Sequence, residues 1–243
     1  SQRIVQSVLR PAGNFPKPTF IAGRIPEYGF SPRGDGGDHP RMWEGQDAFL
    51  AHQVISMLAT IHPEAAKGII HNYLATQADD GFIDLKPGPA GQREDLLITP
   101  LLARMSLTIY ERTEDLTFLR HIYPGLLQLF ERWMQEDDDG DGAPEWHDDR
   151  QTGYTAFPTF APAREWAQGA DIQFAETPDL LGYLLSEAQA LVKIAEAVDS
   201  REGHAQLDEA IVQLSDQLEQ MWEGDHYAYR DRDTDTTTSG IVL

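Results

Sequence analysis

What most constrains this chain is apolar residues recurring at helical spacing, in stretches that come two by two. Residues 47–61 set Phe49, Leu50, Ile55, Leu58 and Ile61 among polar neighbours. Residues 63–78 open on Pro63, whose missing N–H would find no partner at a helix start anyway. A third stretch begins at Thr99-Pro100, a capping hydroxyl followed by proline, and carries Leu101, Leu102, Met105 and Ile109. A fourth follows Thr113, with Glu114 and Asp115 placed to favour the positive end of the helix dipole. It runs through Leu119, Ile122, Leu126, Phe130 and Trp133 to Met134, with a bend expected at Pro124. The fifth repeats the Thr-Pro start at Thr177-Pro178 and aligns Leu181, Leu184, Leu185, Ala188, Leu191, Ala195 and Val198 on one face. The sixth, near 201–222, does the same with Leu207, Ile211, Leu214, Leu218 and Met221. Short links make neighbours antiparallel, so the expectation is an all-α fold of three consecutive helix pairs. Two segments fall outside that rhythm. Residues 226–238 (HYAYRDRDTDTTT) alternate like a short hairpin or a frayed tail. Residues 1–46 are rich in Gly and Pro but keep Phe15, Phe20, Tyr28 and Phe30, which reads as an ordered, irregular lead-in packed on the helices.

Composition narrows the partners. A net charge of −21 disfavours nucleic acid, which needs clustered Lys and Arg, and equally an anionic membrane surface. A neutral sugar or a cation suits that field better. No Cys is present, so disulfides and thiolate metal sites are excluded. No apolar run approaches the roughly 20 residues that a membrane-spanning helix requires. The opening SQRIVQSVLR has neither an initiator Met nor a signal-type apolar stretch, so Ser1 follows a processing point or the chain is a piece of a longer one. The compartment is left open, with the cytoplasm as the default.

The long segment 137–177 interrupts the helices, and loops of that length inside helical domains are usually functional. Its sharpest motif is Asp137 to Trp146, DDDGDGAPEW. Asp137, Asp139 and Asp141 alternate as in the opening of a calcium loop, where carboxylates converge on a hard cation and Gly142 permits the turn. The carbonyl of Ala143 is a further candidate ligand. Asp148 stands where such a loop needs its bidentate Glu, and Glu145 is placed to close the site instead. An ordinary acidic turn is the alternative. A magnesium-diphosphate motif of the Asp-Asp-x-x-Asp type is rejected, because Gly140 and Gly142 break the helix it needs. Arg41 to Phe49, RMWEGQDAF, sets Trp43, Glu44 and Asp47 before the first helix; a Trp face stacks on sugar C–H groups and carboxylates accept hydroxyl hydrogen bonds. Gln151 to Phe160, QTGYTAFPTF, followed by Trp166 and Asp171, is loop sequence dense in aromatics, either a binding surface or an aromatic-pinned structural loop. No nucleophile elbow, P-loop or dinucleotide fingerprint occurs.

Taken in order, these segments resemble glycoside hydrolases built on a toroid of six helix pairs, the relatives of family 63 and the debranching and trehalase-like enzymes. MWEGQDAF is similar to their aromatic–acid box, Gln77 to Ile83 (QADDGFI) to a Q-x-x-DG-x-I turn, and Asp137 to Trp146 to a D-x-DGDG-x-x-EW turn. QTGYTAFP then stands for their Gly-rich acid loop, and Thr177 to Leu180 with AQALVKIAEAV for the closing acidic helix start. The resemblance implies that 47–243 is the first half of such a toroid. It implies inverting hydrolysis of an α-glucoside-like or α-mannoside-like bond, with carbohydrate as the ligand and the rest of the toroid or another copy as partner. Inversion uses one carboxyl as general acid and another as general base. The family's acid falls two residues after the loop Gly, here Gly153, and that position is Thr155, which cannot serve. Asp149, Asp148 and Glu145 are the remaining candidates for the acid, and the base has no counterpart in these residues. Trp43, Glu44, Asp47, Trp146, Gln151 and Tyr154 are the expected sugar contacts. The expectation is that this chain alone does not hydrolyse glycosides. The rival reading is a non-catalytic, calcium-stabilised carbohydrate-binding scaffold.

Overall fold

The computed structural model describes residues 46–87, 95–153 and 172–238. The expected lead-in over 1–46 therefore lies almost wholly outside the described residues. Six α-helices follow in pairs: α1 (Ala48–Ile61) with α2 (Pro63–Leu74), α3 (Leu102–Thr113) with α4 (Leu116–Trp133), and α5 (Pro178–Val198) with α6 (His204–Gln220). Three short strands, β1 (Ala175–Glu176), β2 (Tyr229–Asp231) and β3 (Thr236–Thr238), form one antiparallel sheet in that order. The alternating tail is thus a hairpin, paired through Glu176 opposite Arg230 with the entry to α5.

Linker lengths decide the layers. Within pairs the links are His62, the dipeptide Glu114–Asp115 and residues 199–203, too short for anything but an antiparallel return. The odd helices consequently run parallel, and they pack side by side, α1 on α3 and α3 on α5. The even helices lie outside them, α2 and α4 against α3 and each other, and α6 against α5. This is part of an α/α toroid, an inner layer backed by an outer one. All long connections therefore arrive at one end, the N-terminal ends of the inner helices. Hydrogen bonds sew them together there. Gln46 N donates to Pro87 O at 2.8 Å, and Thr99 Oγ1 to Gln151 O at 2.6 Å. Trp133 Nε1 donates to Ile98 O at 2.8 Å, which ties α4 to the same end.

Helix starts show where local rules hold. Asp47 caps α1 by accepting from Leu50 N at 3.0 Å, and Asp115 caps α4 by accepting from Phe118 N at 3.0 Å. Asp115 is therefore the cap of α4, not part of its first turn, and Glu114 ends α3 with φ at +52°. Pro124 sits inside a continuous α4. Thr99, expected to cap the third helix, does not: α3 starts at Leu102 and Thr99 spends its hydroxyl on Gln151. Its cap comes from Glu187 of α5, whose carboxylate accepts from Ala103 N at 2.7 Å and Arg104 N at 2.8 Å. At α5 the Thr177–Pro178 start is observed, but the Thr177 hydroxyl makes no capping bond. No helix among the described residues is long and apolar enough to cross a membrane.

Candidate functional site

The acidic turn after α4 lies at the long-loop end. Glu145 N donates to Glu136 O at 2.8 Å and closes the loop. Inside it, the Asp137 carboxylate accepts from Gly140 N at 2.8 Å and Gly142 N at 2.9 Å. Asp139 accepts from Asp141 N at 3.2 Å, and Asp141 from Ala143 N at 2.8 Å. Such Asx turns explain why alternating Asp residues fold into a tight turn rather than continue a helix. The backbone at Gly142 favours glycine, and any side chain there would push aside Gln213. Its φ is +96°, and a Cβ there would collide with Gln213 Nε2. From α6, Gln213 Nε2 donates to Gly142 O and Gln217 Nε2 to Asp141 O, each at 2.9 Å, so the outer layer grips the turn.

The carboxylates divide into two groups that share Asp139: Asp137, Asp139 and Glu145, and Asp139, Asp141 and Glu176. In each, one oxygen per residue lies within 4.8 Å of the others, close enough to hold a metal ion. The carboxylates of Asp137, Asp139, Asp141 and Glu145, expected from spacing to converge with the Ala143 carbonyl, thus fall in two groups. Asp141 stands with Glu176 rather than with Asp137 and Glu145. The cause is Arg230. Its guanidinium bonds Asp141 and Glu176 and donates to Gln217 Oε1 at 3.0 Å. Neither Glu176 nor Arg230 was a candidate from the sequence. The one available signal was a charged pair in the alternating tail, YRD, and it names no partner.

Electrostatics separate the two groups further. Glu145 is 2% exposed, and burial pushes its carboxyl up to about 8, with Asp139 and Asp137 adding to the rise against the Asp138 N–H and Arg232. Its Oε2 accepts from Asp138 N at 3.1 Å, while Oε1 is buried without a hydrogen-bond partner. Burial pushes Glu176 up to about 7, opposed by Arg230. At the turn's base, Glu136 bonds Arg132 and His147, and it is held below the usual carboxylate range because those partners outweigh its burial.

The other expected site residues also stand at this end, several in structural roles. Asp47, besides capping α1, pairs with Lys86 at 3.2 Å. Trp146 is fully enclosed, edge-on to Trp133 at 5.4 Å between ring centres, so neither ring face is open to a sugar. Gln151 is buried, accepting from His147 N at 2.8 Å and Asp148 N at 3.0 Å and donating to Leu97 O at 2.9 Å. Asp148 caps the 3₁₀ turn 149–152 and is bidentate to Arg150 at 2.7 and 2.9 Å. Asp149 opens that turn. Trp43, Glu44, Tyr154, Thr155, Trp166 and Asp171 lie outside the described residues.

A two-layered helical toroid with its acidic loops at one end defines the class: a glycoside hydrolase of the α/α-toroid type. The chain belongs to the family of mannosylglycerate hydrolase MGH1-like glycoside hydrolase domains, which matches residues 40–241. It is similar to the GH63 mannosylglycerate hydrolase from Thermus thermophilus solved with glucose, with TM-score 0.72 and 13% identity over 98% of this chain and 67% of that one. It is similar also to an uncharacterized conserved protein from Thermus thermophilus, with TM-score 0.75 and 14% identity over 98% of this chain and 67% of that one. The chain therefore spans about two thirds of the structures it matches. Among curated proteins no sequence match is found.

Proposed function

We propose that this chain is the leading part of an inverting glycoside hydrolase toroid acting on an α-mannoside or α-glucoside, with its site at the long-loop end of the inner helices. The observation that carries this is the gathering of segments 46–47, 84–87, 97–99 and 145–152 at that one end, held there by hydrogen bonds between loops. The name of its relative, a mannosylglycerate hydrolase, supports a mannoside. Trp43, Glu44 and Tyr154 are the sugar contacts, with Asp47 and Gln151 holding the loops that bear them. Among the acid candidates, Asp148 is tied to Arg150 and Glu145 is enclosed, which favours Asp149. Inversion further needs a base roughly 6.5–9.5 Å away, and the rest of the toroid or a second copy would supply it.

Calcium is the proposed ion for Asp137, Asp139 and Glu145. An all-oxygen set suits a hard cation, and the buried, unpartnered Glu145 Oε1 is the kind of atom such an ion satisfies. The ion would hold the turn and neutralise it.

The test is to incubate the chain, and separately the product of its parent gene, with aryl α-mannoside, aryl α-glucoside and trehalose, measuring released sugar. Turnover by the parent product, lost in Asp149→Asn, is the expected result, with none from this chain alone. Binding of sugar without turnover by either would establish the rival, a carbohydrate-binding scaffold, which Thr155 at the acid position favours.

A further inference from the structure

Gly182 stands inside α5, near its start, with no reason in the fold to be glycine. A glycine in a helix is destabilising relative to alanine, because it loses more backbone freedom on folding. Its presence there calls for a cause, and two are usual: a left-handed backbone, or a neighbour too close for a Cβ. Gly153 has both, with φ at +77° and the Phe49 ring 2.4 Å from where a Cβ would stand. Gly125 of α4 has the second, with Gln77 Oε1 at 2.9 Å. Gly182 has neither. Its backbone is helical, and among the described residues nothing lies within 4 Å of an added Cβ.

The open space lies on the concave wall. α5 is backed by α4 and α6 and flanked by α3, and it buries Leu181, Leu184, Ala188 and Leu191 on that side. On the opposite side, at helical spacing, partly open Gly182 and Ser186 lead on to exposed Gln189 and Lys193. Ser186 marks the direction of this stripe, since its Oγ accepts from Arg104 Nη1 of α3 at 2.8 Å. Gly182 is the stripe's position nearest the long loops. Beside it, Tyr183 stands edge-on to Phe49 of α1 at 6.1 Å between ring centres and to Trp146 at 6.5 Å. An aromatic wall therefore runs from Gly182 to α1 and to the loop that carries the acid candidates.

We propose that the bare main chain at Gly182 is a notch that seats the ring of the sugar itself, so that the missing side chain decides which ring can close on the wall. A pyranose ring is broad and stiff, and a single added methyl group at the contact holds it off the helix. Helix stability is thus given up at this position for room, and the two quantities can be measured apart. This rests on the glycosidase reading and adds a specificity-determining position to it.

The experiment compares wild type, Gly182→Ala and Gly182→Leu in two measurements. Melting temperature is followed on this chain by circular dichroism. Affinity is measured on the product of the parent gene by calorimetric titration with methyl α-D-mannoside and methyl α-D-glucoside, whose aglycone is a single methyl group. Gly182→Ala is expected to raise the melting temperature by roughly 1–4 °C, since the helix regains propensity. The same substitution should weaken binding of the glycoside that the wild type takes, on the order of tenfold, the scale of an intruding methyl in a close-packed contact. Gly182→Leu should weaken it further. A fall in melting temperature in Gly182→Ala would assign the glycine to packing, and unchanged affinity in both variants would leave the stripe without a ligand. A wild-type product that binds neither glycoside would leave the notch nothing to seat. Each of these outcomes overturns the proposal. Turnover of aryl glycosides is read separately: turnover with affinity unchanged by either substitution sinks the notch alone, whereas binding without turnover, weakened in Gly182→Ala, sinks the hydrolase reading alone.

Discussion

Asp141 and Glu176 have a counter-ion built into the fold, whereas Asp137, Asp139 and Glu145 have no ion pair among the described residues. The two groups share Asp139, and Asp137, Asp141 and Glu145 belong to the same turn while Glu176 comes from β1, so the difference lies in who approaches from the tail. Arg230 reaches the second group from β2; Arg232, two residues on, passes the first and pairs with Asp138 at 3.0 Å. One group thus carries its cation as a side chain and the other has none, while each keeps one buried glutamate oxygen without a hydrogen-bond partner, Oε1 of Glu176 and Oε1 of Glu145. A turn of this kind can be locked from within on one side and remain open to an ion on the other.

The largest effect should come from removing the internal cation. Arg230→Met leaves the buried Glu176 uncompensated and takes a partner from the more open Asp141, and losing one partner of a buried pair such as Arg230–Glu176 costs about 3–5 kcal/mol. Denaturant unfolding measures it. A loss below about 1 kcal/mol would mean that the two groups are electrostatically alike. Added calcium should recover part of the loss in this variant, because the vacated group then resembles its neighbour.

The pH response comes next. Glu145 and Glu176 are raised from the ordinary 4.5 to about 8 and about 7. The folded state therefore binds their protons more tightly than the unfolded one. Their contribution is fully present below pH 4.5 and is lost as pH rises through 7 and 8. Stability of the ion-free chain should fall across that window, by at most about 1.4 kcal/mol per pH unit for each group. Glu145→Gln should remove the upper part of the slope. A flat profile would sink the claim that the first group is uncompensated.

Calcium itself is expected to act through the first group. After chelator treatment, a free concentration of about 100 times Kd should stabilise the fold by roughly 2.7 kcal/mol and raise the melting temperature. It should also flatten the pH slope above neutrality, since the ion favours the ionised carboxylate. Glu145→Gln should weaken the response more than Asp141→Asn does. No heat on titration and no shift in melting would make the turn an ordinary acidic one.

The smallest effect distinguishes the turn's two glycines. Both have positive φ, +79° at Gly140 and +96° at Gly142, so alanine strains either by about 1 kcal/mol. Only at Gly142 does the added Cβ also meet Gln213, whereas nothing lies within 4 Å at Gly140. Gly142→Ala should therefore cost more than Gly140→Ala in thermal unfolding, and equal costs would argue that α6 does not grip the turn.

Much of the architecture was legible because its signals are local. Apolar spacing along α1 to α6 and Pro63 at the start of α2 act within a turn of chain. The aspartates at 137, 139 and 141 announced a tight acidic turn for the same reason, since each bonds an N–H two to five residues on. Composition and spacing failed where a residue's partner is remote. Thr99 has the sequence of a cap, yet Gln151 takes its hydroxyl and Glu187, more than eighty positions along, caps α3. Trp146 and Gln151 look like surface groups beside a loop, and both are enclosed.

By itself, then, the sequence determined that helices form, that they pair, where the long loops fall between pairs, and that the turn is acidic, because propensity, periodicity and Asx chemistry are short-range. Only the tertiary structure decided which carboxylates stand together, and that Arg230 answers one group while the other has no ion pair among the described residues. The physical reason is that a buried charge requires compensation whatever its neighbours along the chain, while the group that supplies it is chosen by packing between elements far apart in sequence.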